Sequence, residues 1–182
     1  MNTIRYKTIL AFTLLTLSGT IFGQNEAELD KKKGFRDFIL GQDFSIYRDR
    51  VWLTKVDEEK NKNKKVKEYS LKDEIIVQEL SFMVTLSFFE NKLTQISVYR
   101  ITKNEYEFSA IKQSLFTLYG NVPNYASNPD KPSDLKKCGE IYLWNSETVG
   151  LELVYCTEDP PFLIEFSYWD KKRNLKLLKD EF

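Results

Sequence analysis

Residues 138–156 read CGEIYLWNSETVGLELVYC, two alternating runs framed by cysteines. Residues 140–144 and 150–155 carry the period of two that marks a half-buried strand. Between them, Asn145-Ser146-Glu147-Thr148-Val149 supplies turn chemistry, with residues 146–148 at the tip. A hairpin with that tip and an unbroken ladder predicts that Leu143 faces Leu151, Ile141 faces Leu153 and Cys138 faces Cys156. Directly opposed strand residues lie about 4.5–5.5 Å apart at Cα, within reach of a disulfide. Closing a loop of this size stabilises by roughly 3 kcal/mol. Two free buried thiols, or a register displaced by one residue, are the competing readings.

The pattern extends outward from this hairpin. In residues 80–89, Leu80, Phe82, Val84, Leu86 and Phe88 share one face, and Ser81, Met83, Thr85 and Ser87 the other. Glu90-Asn91-Lys92 turns the chain, and residues 93–101 return with Ile96 and Val98 inward. Residues 69–77 predict a preceding strand interrupted at Lys72-Asp73-Glu74, and residues 162–168 a last one. Asn104 with Glu107 three positions on reads as a capping-box start. Phe108, Ile111, Leu115 and Leu118 then form one helical apolar stripe, ended by Gly120 and Pro123. Asp43 is placed to cap a short helix over residues 44–52, with Phe44, Tyr47 and Val51 on one side.

The N-terminal residues point to export. Arg5 and Lys7, an apolar run over residues 9–17 and a small-residue stretch ending at Gly23 predict a secretory signal peptide over residues 1–23. The run is too short to cross a bilayer core of about 30 Å as a helix, so no stable membrane span remains after cleavage. Residues 24–33 read as a flexible lead-in, 34–169 as a single domain, and 170–182 as a tail or short docking helix. Residues 57–67 mix lysines with acids as a solvated loop. Residues 121–137, with three prolines, form a long surface loop.

Composition removes several function classes. The 182 residues include no histidine, so neither a Ser-His-Asp nor a Cys-His catalytic set is possible. Zinc would need the two cysteines with carboxylates, an uncommon donor set, and no metal or other cofactor is expected. The 27 basic and 27 acidic residues balance, leaving no overall field to gather nucleic acid. In an oxidising compartment the cysteine pair is expected to bond.

The implied fold class is α+β: two α-β-β(-β) halves forming an antiparallel sheet with helices packed on one face. Gly34 to Leu40-Gly41 opens the domain. Phe88-Phe89-Glu90-Asn91-Lys92-Leu93 forms a strand-turn-strand, Leu118-Tyr119-Gly120-Asn121-Val122-Pro123 closes the helix, and Tyr142 and Trp144 mark an aromatic strand. With these features residues 34–169 resemble small exported bacterial proteins with the fold of the beta-lactamase inhibitory protein and of outer-membrane assembly lipoproteins. The resemblance implies a domain that binds proteins or envelope components without chemistry. The lipid-anchoring cysteine of the lipoprotein branch has no counterpart.

The unbroken ladder turns Leu86, Ile96, Ile141, Leu143, Leu151, Leu153, Ile164 and Phe166 under the helices. It leaves Tyr99, Tyr142, Trp144 and Trp169 on the opposite face as candidate partner-binding residues, beside Glu140, Glu152, Glu165 and the disulfide Cys138–Cys156. Exposed aromatics on a rigid sheet are the residue types that anchor protein contacts. The expectation is an exported, periplasmic or extracellular, non-catalytic binding or inhibitory domain with a protein or envelope partner. Two alternatives stay open: a glycosidase-like hydrolase built on paired carboxylates, and a structural envelope component.

Overall fold

A computed structural model of the chain describes residues 26–53, 65–102, 104–125, 138–156, 162–173, 175 and 176. The expected signal peptide, most of the charged loop and of the proline-containing loop, and the end of the tail lie outside them. The architecture is mostly antiparallel sheet with few helices, loosely α+β.

The described chain begins with helix α1 (Glu26–Lys32), followed by a small hairpin of β1 (Gly34–Phe35) and β2 (Phe38–Ile39). A 3-10 turn, Phe44–Ile46, leads to β3 (Val51–Trp52), β4 (Val66–Leu71), β5 (Ile75–Val77), β6 (Leu80–Phe89) and β7 (Lys92–Thr102). Helix α2 (Glu105–Tyr119) precedes β8 (Cys138–Asn145), β9 (Val149–Cys156) and β10 (Phe162–Asp170). The main sheet has eight strands in the order β3-β4-β6-β7-β10-β9-β8, with β5 paired to β6. Every pair is antiparallel.

Residues 26–32, expected within a flexible lead-in, instead fold as α1 with Leu29 only 1% exposed. Asp30 explains why they are held. Its Oδ1 accepts from the hydroxyls of Ser146 and Thr148, both at 2.6 Å, and from the Thr148 N–H at 3.0 Å. Its Oδ2 accepts from the Glu147 N–H at 3.1 Å. The helix is thereby clasped to the tip of the β8–β9 hairpin. A short acidic helix has little propensity-driven stability of its own, so these distant bonds and Leu29 account for it.

The expected helix over residues 44–52 shortens to the 3-10 turn. Asp43 does cap it, accepting from the Ser45 N–H at 3.0 Å, but Val51 and Trp52 pair with Leu71 and Ser70 as β3. Helix α2 starts at Asn104 as read, its Oδ1 accepting from the Tyr106 N–H at 3.0 Å. The reciprocal half of the capping box does not form. Glu107 turns to Arg100, Nε–Oε2 2.7 Å, and the Asn104 N–H donates to Thr102 Oγ1 at 3.0 Å instead. At the other end Leu118 is 45% exposed, and Tyr119, 2% exposed, takes its place in the core.

The β8–β9 hairpin departs most from expectation. Cys138 faces Cys156 and the two are disulfide-bonded, as read. Past them the register shifts, because Gly139 is a surplus residue between Cys138 and Glu140, a β-bulge. The ladder then runs Ile141 opposite Val154, Tyr142 opposite Leu153 and Trp144 opposite Leu151. A slip of one residue exchanges the two faces of a strand. Tyr142 and Trp144 therefore join the core with Leu151 and Leu153, while Ile141 and Leu143 turn to the other side.

The principal core gathers Phe82, Leu86, Ile96, Val98, Trp144, Leu151, Leu153, Ile164 and Phe166 with Phe108, Ile111 and Leu115 of α2. Each such side chain, fully buried, contributes about 1.5–3 kcal/mol. Phe108 stacks on Tyr155 at 4.3 Å between centroids, and Phe116 meets Tyr142 edge-on at 5.2 Å. On the opposite side of β8–β9, Cys138, Ile141 and Val154 form a second small core with Tyr125, Leu143 and Cys156.

Candidate binding face

The register fixes which side chains share the face opposite Trp144. Across the sheet run Trp52, Ser70, Thr85, Ser97, Ser167 and Glu152, each paired with the next. Flanking rows add Met83 opposite Tyr99 opposite Glu165, Gln95 opposite Trp169, and Ile101 opposite Leu163. The face is thus a polar bed bordered by large apolar groups.

The bed is internally hydrogen-bonded. The Ser97 and Ser167 hydroxyls lie 2.9 Å apart, Ser167 also donates to Glu165 Oε1 at 3.0 Å, and Gln95 Nε2 donates to Ser97 at 3.2 Å. These bonds lower the cost of drying the bed under a partner, because fewer polar groups lose water unpaired. Around it, Trp52 is 53% exposed, Ile101 54% and Met83 38%. Tyr99 and Trp169 are half-buried. Trp169 lies flat across Gly150, where a Cβ would come within 2.1 Å of its ring. A glycine at this point lets the indole rest on backbone.

Of the four aromatics read as candidates, the structure keeps Tyr99 and Trp169 on this face and places the other two on the opposite one. Tyr142 and Trp144 are 7% and 1% exposed. Trp144 Nε1 donates to the Gly120 carbonyl at 2.7 Å, and its ring meets Phe116. Their placement on the outer face is corrected by the bulge at Gly139. Trp52, Met83 and Ile101 take up the same face. Ile101 was legible as the second neighbour of Tyr99 on one strand; Trp52 was hidden by the helical reading of residues 44–52.

The three glutamates divide as well. Glu152 and Glu165 stand on this face, whereas Glu140 pairs with Tyr155 on the other and meets Lys112 Nζ at 2.8 Å. Burial pushes the Glu140 carboxyl up, but hydrogen bonds from Lys112 and Tyr142 outweigh it and hold it below its ordinary value. A general acid requires the opposite direction. Among the described residues no three Cys, Asp or Glu side chains come together as a metal ion would require.

Compared with known protein families, curated proteins and solved structures, the chain matches none. None of these comparisons bears on the resemblance read from the sequence. Among the described residues no helix is long and apolar enough to cross a membrane.

Proposed function

We propose that the chain is an exported, non-catalytic binding domain that engages a protein partner through the sheet face carrying Trp52, Met83, Tyr99, Ile101 and Trp169. The observation that carries this reading is the exposure of Trp52, Ile101 and Met83 on one face of a continuous sheet, beside the two half-buried rings. In this reading α1 and α2 pack on the opposite face and leave this one, outside the small core at β8 and β9, for the partner. Large apolar and aromatic groups on regular structure bury area with little further loss of conformational freedom, which is how interface anchors act. The Cys138–Cys156 disulfide agrees with residence in an oxidising compartment, and the N-terminal residues supply the export signal.

Site-specific photo-crosslinking in the exporting cell tests this. A crosslinker at position 52 or 101 is expected to give one discrete protein adduct. The same group at position 106, where Tyr106 is 84% exposed on α2, is expected to give none. Adducts from position 106 alone, or from no position, overturn the assignment.

A further inference from the structure

A second concavity lies on the other side of the sheet, independent of the proposed binding face. It has a volume of about 260 Å³ and opens between α1, the β1 strand, the turn after β5, and α2. That is just below the roughly 300–1,000 Å³ typical of drug-sized ligand sites. Its walls are apolar: Phe35, Val77, Leu115 and Leu118 line it.

The cavity joins apolar walls to two cations. Tyr168 and Tyr119 also line it, each 2% exposed. Their hydroxyls lie 3.4 Å apart and answer one another. On the wall, Gln78 Nε2 donates to Ser114 Oγ, so these polar groups also have partners within the protein. Lys32 and Arg36, both exposed, belong to its lining too. Lys32 sits 5.5 Å from the centroid of the Tyr119 ring, and Arg36 5.7 Å from that of Phe35. Arg36 also donates to the Ile76 carbonyl. Among the described residues neither cation is ion-paired, and no carboxylate lines the cavity. Glu28, one turn back on α1, is paired with Lys31 at 3.5 Å.

We infer that this cavity binds a single-chain anionic amphiphile, a medium-chain fatty carboxylate, with its tail along the apolar walls and its carboxylate at the cations Lys32 and Arg36. The apolar wall takes the tail, because the tyrosine pair and the Gln78–Ser114 pair ask for no polar group there. The head group lies at two cations that are held against aromatic rings and form no salt bridge among the described residues, the adjacent Asp37 being paired with Arg50. An alcohol of equal length satisfies the wall but not the cations. A quaternary ammonium of equal length is repelled by them.

The test is calorimetric titration of the full chain with sodium decanoate, below its micelle concentration. Decanol, decyltrimethylammonium and acetate serve as comparators. Decanoate is expected to bind with one site per chain. Decanol should bind roughly ten-fold more weakly, as loss of a charge-assisted contact implies, and the other two should show no measurable binding. Lys32→Gln combined with Arg36→Gln is expected to weaken decanoate to the level of decanol and leave decanol unchanged. In NMR spectra the methylene protons of decanoate should give nuclear Overhauser effects to the ring protons of Tyr119 and Phe35, which line the cavity. Equal affinity for decanoate and decanol, no binding of decanoate, or an unchanged affinity in the double variant overturns the inference. So does the absence of any contact between bound decanoate and the Tyr119 or Phe35 ring.

Discussion

Asp30 ties the first described helix to a turn more than a hundred residues further on, and its ionisation is coupled to that link. Burial pushes its carboxyl up, but the Ser146 and Thr148 hydroxyls and the Thr148 and Glu147 N–H groups outweigh it and hold it at about 2, against an ordinary 3.8. A carboxyl depressed on folding stabilises the native state above its unfolded value and loses that contribution as pH falls through the folded one. Asp30→Asn is therefore expected to lower stability by about 1 kcal/mol at neutral pH, a figure already reduced for solvent screening. The gap between the two proteins should close between about pH 4 and pH 2. Urea melts across that range measure it. Trp144 is the other side chain with a large expected effect. It is 1% exposed and its indole N–H is bonded to Gly120. Trp144→Ala should cost about 3–5 kcal/mol, and Trp144→Phe about 1 kcal/mol for the lost hydrogen bond in addition to a smaller packing term. Were Trp144 an exposed anchor, both changes would leave the urea midpoint nearly unmoved.

Among the elements, the β8–β9 hairpin shows what alternation reveals and what it conceals. The strands, their turn and the disulfide were all legible, because apolar residues at every second position and a cysteine at each end are local signals. The orientation of β8 was not. A bulge adds one residue without altering the composition around it, and a glycine at 139 is too common to announce one. Reading the disulfide pair and the ladder as one register inverted five side chains: Glu140, Ile141, Tyr142, Leu143 and Trp144. Helix α2 was legible in its cap and three of its four stripe positions, while Glu107 went to Arg100, a partner on a neighbouring strand that no local pattern names. Two outcomes follow for these elements. Replacing both cysteines by serine is expected to lower stability by roughly 3 kcal/mol, read from the thermal midpoint with and without reductant. Gly150→Ala should displace the Trp169 indole from the backbone, costing about 1–3 kcal/mol and shifting its fluorescence toward that of a water-exposed ring. An unshifted spectrum would mean that Trp169 does not rest there.

At the scale of the whole molecule, the principal core lies on one side of the sheet, and the side proposed for recognition carries only the small core around Cys138, Ile141 and Val154. Trp52→Ala and Ile101→Ser are thus expected to change unfolding free energy by no more than about 0.5 kcal/mol. If each residue anchors a partner, either change should cost roughly 2 kcal/mol of binding, read as loss of the crosslinked adduct. A variant that melts early and also loses its adduct would place these residues in the fold rather than the interface. The surplus glycine before Glu140 has a consequence for chain length. Remove residue 139, and Cys138 still meets Cys156 while Glu140 still meets Tyr155, now as adjacent rungs of a regular ladder. A deletion there is absorbed, whereas loss of residue 143 or 144 would carry Tyr142 out of the principal core to the other face of the hairpin.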